Sequence, residues 1–134
     1  ETYIGAKYLV RRALQLMEEK KSYHILKLAD NNKSKITPKI LSLAASQGDK
    51  IAKQVWAEAG EKLAVLLADI INFINPDHIV LCGGISKACK EFYTPVYKQI
   101  KQRAFKSAVD SCKIVVSKYT NKLGVAGAAM LAKN

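Results

Sequence analysis

Apolar residues recur at three- and four-residue steps through much of the chain. In the first twenty positions Tyr3, Ile4, Leu9, Val10, Ala13, Leu14, Leu16 and Met17 are interleaved with Arg11, Arg12, Glu18 and Glu19, which predicts an amphipathic helix over 3–20. The stretch 28–37 is polar and contains Asn31-Asn32, so it reads as a loop. Thr37 followed by Pro38 supplies a helix cap and a first-turn proline, and the helix they open runs to about Ser46. Gly48 ends it and Asp49 caps the next. The strongest helical signal covers 49–74, where Ile51, Ala52, Val55, Trp56, Ala59, Leu63, Leu66, Leu67, Ile70, Ile71 and Ile74 repeat at helical spacing. After Lys62 only Asp69 is charged, so the second half of this helix is expected to be buried on several sides, in a domain or an oligomer core. Asn75-Pro76-Asp77 ends it.

The pattern then changes. His78-Ile79-Val80-Leu81-Cys82 is a short, β-branched apolar run that enters Gly83-Gly84, which predicts a buried parallel strand and a glycine turn. A helical pattern covers 87–108, with Pro95 in its first turn or at a kink. A second strand is expected over 113–117, and the small-residue run GVAGAAMLA over 124–132 predicts a last helix. The chain is thus α/β, one domain over 1–134, with a helical part over about 1–75 and a strand–helix–strand–helix part over about 77–134. Two strands make a poor free-standing sheet, so this pattern predicts part of a larger assembly.

Composition narrows the classes. The 134 residues are 49% hydrophobic, enough for a packed core rather than disorder. No run of eighteen uncharged apolar residues exists, which excludes a conventional transmembrane helix, and the opening segment reads as an amphipathic helix rather than a signal peptide. The three cysteines at 82, 89 and 112 have no metal-ligand spacing and form no disulfide framework, so reduced thiols in a cytoplasmic protein are expected. The net charge is +11, and positions 87–122 hold nine basic against two acidic residues. Those lysines are spread along a helical pattern without interleaved aromatic platforms, so a solvated basic face is expected rather than a DNA-binding surface.

The segment IVLCGGIS (79–86) is the sharpest local feature. Glycines at the carboxyl end of a parallel strand let a backbone approach a ligand, in the crevice where open α/β sheets bind. Neither a phosphate-loop lysine nor a third dinucleotide-motif glycine follows, so a ligand-facing turn and a merely tight turn both remain open. Gly124 and Gly127, at near one-turn spacing, suit close packing against a neighbouring helix or a cofactor. Cys82 is expected to be a small buried hydrophobe, and Trp56 a core or interface residue. His24 and His78 have no arrangement suggesting catalysis, and no carboxylate pair stands out as acid and base.

The run GDKIAKQVWAEAGEKLAVLLADIINFINPDHIVLCGGIS (48–86), followed by LGVAGAAMLA (123–132), resembles the C-terminal part of the ROK family of repressors and sugar kinases. The resemblance implies the C-terminal lobe of the two-lobed actin-like, ribonuclease-H-like ATPase fold. It implies a parent that transfers the ATP γ-phosphoryl group to a sugar hydroxyl with Mg2+, and often forms dimers. It places Gly83, Gly84 and Ile85 at the nucleotide turn, with Cys82 where the family has a first glycine, and Gly124 and Gly127 on a helix buttressing the nucleotide side. Glu1 would match the glutamate after the family's zinc loop, near the sugar. The zinc ligands, the phosphate-binding aspartate–glycine loop and the catalytic aspartate would all lie upstream, so the resemblance assigns no catalytic or metal-binding residue to this chain and implies that it has no kinase activity alone. A sugar-responsive transcriptional repressor, with this region as its sensing and oligomerisation lobe, is the alternative parent.

Overall fold

The computed structural model describes residues 3–20, 23–117 and 122–132. Its elements, in chain order, are α1 (Ala6–Lys20), α2 (His24–Leu28), a 3-10 turn (Lys33–Lys35), α3 (Pro38–Ser46), α4 (Lys50–Ile74), β1 (His78–Leu81), a second 3-10 turn (Gly84–Lys87), α5 (Lys90–Arg103), α6 (Lys106–Ser111), β2 (Lys113–Val116) and α7 (Lys122–Leu131).

The helix starts are written in the side chains. The Thr37 hydroxyl accepts from the Ile40 N–H at 3.3 Å, with Pro38 in the first turn of α3. The Asp49 carboxylate accepts from the Ala52 N–H at 2.7 Å and opens α4. Asn75 closes α4 in the left-handed region, at φ 49° and ψ 56°. The sequence pattern assigns no element just before the loop read over 28–37, yet α2 forms there, and a 3-10 turn forms within the loop. The turn is held locally by Asn32, whose side chain accepts from the Ser34 N–H at 2.9 Å.

Helix α4 serves two cores. Its first half packs with α1, α2 and α3 around Leu9, Leu16, Ile25, Leu41, Val55 and Trp56, with Phe92 of α5 closing the cluster. Its second half packs Ala64, Leu67 and Ile71 against Val96 and Ile100 of α5, and Ile79, Leu81 and Ile114 of the sheet lie against that layer. Leu63 touches both clusters. The two helices approach closely at Gly60, where a Cβ would collide with the Phe92 carbonyl and stand 2.9 Å from Pro95 Cγ. Pro95 therefore sits inside α5, not in its first turn, and its ring packs where α4 has no side chain. Arg12 of α1 ties in the other side. Its Nε and Nη2 donate to the two Glu58 carboxylate oxygens at 2.7 and 3.0 Å, and Gln54 Nε2 donates to the same group at 2.8 Å.

The strands pair in parallel, His78 opposite Lys113 through Leu81 opposite Val116. Two expectations fail here, and a third is not met within the single chain. The single helix read over 87–108 is two, because Asn72 of α4 captures the backbone between them: its Oδ1 accepts from the Phe105 N–H at 2.9 Å and its Nδ2 donates to the Arg103 carbonyl at 3.3 Å. The strand read as buried alternates instead. Helices cover only one face of the described sheet, so Ile79 and Leu81 are half-buried while Val80 and its neighbour Val115 are exposed. The second half of α4 is covered on one side only, and Leu66, Phe73 and Ile74 stand exposed, Phe73 at 93%.

Two outcomes follow from this packing. Gly60→Ala should destabilise the chain by about 1–3 kcal/mol through overpacking; an unchanged denaturant midpoint would contradict the close approach. The Arg12 guanidinium holds the Glu58 carboxyl below its ordinary value, ahead of an opposing contribution from burial. A depressed carboxylate contributes stability that is present above its unfolded value and is lost as pH falls through the folded one. Stability should therefore drop as pH falls below about 4.3, and Glu58→Gln should flatten that limb of a stability–pH curve.

Candidate functional site

The glycine turn and three distant segments meet at one cavity. A space of about 460 Å³ is lined by Pro38, Lys39 and Ser42 of α3, Trp56 of α4, Gly84, and Ala88 at the entrance to α5. Pro38 and Ser42 lie one helical turn apart, so the first turns of α3 form one wall. Trp56 is 1% exposed and meets Phe92 edge to face, with ring centroids 5.7 Å apart. Its indole Nε1 is the one buried side-chain nitrogen or oxygen among the described residues that has no hydrogen-bond partner. Leaving such a donor unpaired costs about 1–3 kcal/mol, and because the nitrogen is sealed from solvent it is another part of the ring that borders the cavity.

The turn itself is built for a backbone approach. Gly83 has φ 101° and ψ 178°, a conformation that favours glycine. Gly84 has no positive φ, and a Cβ there would meet no atom within 4 Å. Nothing inside the described chain therefore requires glycine at 84, and a molecule from outside has room to reach the main chain. Ile85 is half-buried and packs against the larger core, and the Ala88 N–H returns to its carbonyl at 2.9 Å, so the turn is anchored from behind. Cys82, where the family pattern has a glycine, does not have a positive φ, so any residue fits the backbone there.

Cys82 is exposed, not buried. It lies past the last ladder bond, in which the Ser117 N–H donates to the Leu81 carbonyl at 2.8 Å. Burial pushes the Cys89 thiol up to about 11, with the nearby Glu91 adding to the effect. Burial also raises Cys112, with Asp77 as the second cause. Neither is an activated nucleophile. His24 is exposed and meets Gln47 at 3.1 Å, and His78 lies exposed on β1.

The remaining candidates do not join this cavity. Gly127 has no atom within 4 Å of a Cβ position, and Val125, Ala128, Ala129 and Met130 of α7 are exposed, so the close packing expected at Gly127 is not made within the described chain. Gly124 falls within α7, and Glu1 lies outside the described residues. A larger, more open groove of about 760 Å³ runs between α4 and α5, lined by residues that include Lys53, Glu61, Glu91 and Lys98. It mixes both signs of charge and has no glycine turn, so it fits an anionic ligand less well. Sequence reasoning found Gly84 but not the α3 wall, since Pro38 and Ser42 had an evident local role and stand more than forty positions away.

Comparison with known proteins now decides the family, because the ROK family model matches residues 1–134. The chain belongs to the ROK family. It is 32% identical to a glucokinase of Thermotoga maritima over 127 residues, which is 92% of this chain and 39% of that protein. It is 28% identical to a xylose repressor of Caldicellulosiruptor bescii over 96 residues, 72% of this chain and 24% of that protein. Among solved structures, a ROK family glucokinase from Streptomyces griseus, in complex with glucose and AMPPNP, superposes with a TM-score of 0.81 at 26% identity, covering 98% of this chain and 43% of that one. The chain spans about two-fifths of the length of the glucokinases it matches. Its helix-rich α/β fold with a small open sheet is consistent with this family, which includes sugar kinases and sugar-responsive regulators.

The residues can be tested against the ligands the family implies. The cavity falls in the size range of about 300–1,000 Å³ typical of small-molecule sites. A serine hydroxyl, an adjacent lysine and an accessible glycine backbone suit a nucleoside carrying phosphates. Among the described residues no three His, Cys, Asp or Glu side chains come together to hold a metal ion. The cysteines give a direct check on the local geometry: a thiol reagent at pH 8 should modify Cys82 first and Cys89 last, the latter being about one part in a thousand thiolate. Equal rates for all three would contradict it.

Proposed function

We propose that this chain is the C-terminal, nucleotide-side lobe of an ATP-dependent hexose kinase with the actin-like architecture. The observation that carries this is the cavity that joins Trp56 to the open backbone of Gly84. The glucokinase matches support it, because they cover more of the chain than the repressor matches do. In this reading the adenosine lies against the α3 wall, with the edge of the buried Trp56 ring closing the back of the cavity. The glycine backbone admits the ribose or phosphate edge, and Lys39 offsets negative charge at the mouth.

The parent would pass the γ-phosphoryl group of ATP to a sugar hydroxyl. This chain's part is binding and orientation. Among the described residues no carboxylate lines the cavity; in this reading the general base, the Mg2+ ligands and a zinc site belong to the remainder of the parent, upstream of Glu1. The full protein works as a homodimer in the cytoplasm, and among the described residues no helix is long and apolar enough to cross a membrane. The second reading, a sugar-sensing repressor lobe, rests on Cys82 in place of a nucleotide-turn glycine and on the likeness to the xylose repressor.

Trp56 is the sole tryptophan, so its fluorescence reports the cavity directly. Titration with ATP should change that emission saturably, and Gly84→Val, which meets open space in the fold, should abolish the change while leaving the circular dichroism intact. No emission change up to millimolar ATP would contradict the nucleotide reading. The pure chain, mixed with ATP, Mg2+ and glucose, should release no sugar-dependent ADP; measurable turnover would overturn the assignment of the base to another part of the parent.

A further inference from the structure

An apolar groove runs along α1, at the edge of the larger core. It has a volume of about 580 Å³ and is lined by Val10 and Leu14 of α1 together with Ile36 and Pro38 at the entrance to α3. Val10 and Leu14 are half-buried and Ile36 is almost fully buried. All three pack with the core that Leu9, Ala13 and Leu16 build on the neighbouring face of the same helix. The α1 residues on the groove run from Ala6 to Glu18, about 18 Å of helix. Among the described residues the groove shares only Pro38 with the cavity at Gly84.

Charge is distributed unevenly along it. Lys7 and Arg11, one helical turn apart, are exposed at one end. Neither enters an ion pair among the described residues. The Arg11 guanidinium stands 6.0 Å from the centre of the Tyr8 ring, a contact that leaves its donors open. At the other end Lys33 Nζ donates to the Glu18 carboxylate at 3.2 Å, so that charge is already offset. Between the ends little is left to hydrogen-bond a ligand. The Thr37 hydroxyl is engaged by the Ile40 N–H, and the α1 backbone is bonded within its own helix.

We infer that this groove binds a single-chain anionic amphiphile, with its carboxylate at Lys7 and Arg11 and its hydrocarbon chain along Val10, Leu14 and Ile36. Shape selects the chain. The volume spread over the length of the groove gives a channel about 6 Å across. That width admits one extended chain, whereas an α-helix with its side chains is about 10 Å wide. An extended polypeptide would bring backbone N–H and C=O groups onto a lining that has no partners for them, which is costly. A hydrocarbon chain brings none and removes apolar surface from water. Charge selects the head and its direction. Two cations four residues apart can share one carboxylate, and the one carboxylate on the groove among the described residues lies at the far end. This inference does not depend on nucleotide binding.

Calorimetric titration of the chain with dodecanoate, kept below its micelle concentration, should show saturable one-to-one binding. Octanoate should bind at least about tenfold more weakly, because four methylenes leave the groove. Lys7→Glu and Arg11→Glu should each weaken dodecanoate by about tenfold and leave dodecanol binding and the circular dichroism unchanged, since both side chains are exposed. In a ¹H–¹⁵N spectrum the amides of Val10, Leu14 and Ile36 should shift with dodecanoate and saturate together. Absence of saturable binding overturns the inference, as do shifts confined to the exposed Leu66 and Phe73 of α4. Dodecanoate affinity indifferent to both charge reversals overturns the placement of the head. An acidic amphipathic peptide that moves these amides where dodecanoate does not overturns the ligand class in favour of a protein partner.

Discussion

The structure depends on one helix facing two cores. Over its first half α4 buries Ile51, Ala52, Val55, Trp56 and Ala59 under the other helices, and over its second it buries Ala64, Leu67 and Ile71 against α5 and the sheet. The buried face therefore turns along the helix. The crossover lies around Gly60, where α5 comes close enough that the Phe92 carbonyl leaves no space for a Cβ. That contact sets the position of Phe92, which in turn braces Trp56. The cavity opens where the first core meets the glycine turn, and Leu66 and Phe73 of α4 lie beyond the cover of that core and stand exposed.

The same constraint explains why the site is assembled from segments so far apart. Gly84 follows β1, and β1 is held to the second core through Ile79 and Leu81. The α3 wall belongs to the first core through Leu41, Ala44 and Ala45. Both α4 and α5 join the two, α5 through Phe92 in the first and Val96 and Ile100 in the second. A ligand bound there would touch segments that belong to both cores.

Much of this was legible along the chain. The caps at Thr37 and Asp49, the stop at Asn75 and the entry of β1 into paired glycines all depend on neighbours in sequence, and each appears where the pattern places it. The failures share a different cause. The break after Arg103 comes from Asn72, thirty-one positions away, and no local signal marks it. Pro95 sits mid-helix because Gly60 makes room for its ring, again a tertiary fact. The apolar runs in α4 and β1 were read as burial, but hydrophobicity records what a residue needs and not whether this chain supplies it. The family resemblance rested on 48–86 and 123–132 and pointed to Gly84, while the α3 wall and the unpaired indole of Trp56 emerged only in three dimensions.

The most direct measurement is a ¹H–¹⁵N spectrum of the labelled chain during titration with ADP. The sole tryptophan gives one indole N–H signal, so Trp56 can be followed without ambiguity. If the cavity holds the nucleotide, that signal and the Gly84 amide should shift together and saturate at the same ligand concentration, with Ser42 and Ala88 moving alongside. Shifts confined to Lys53, Glu91 and Lys98 in the open α4–α5 groove, or no saturable shift at Trp56 and Gly84, would contradict the account.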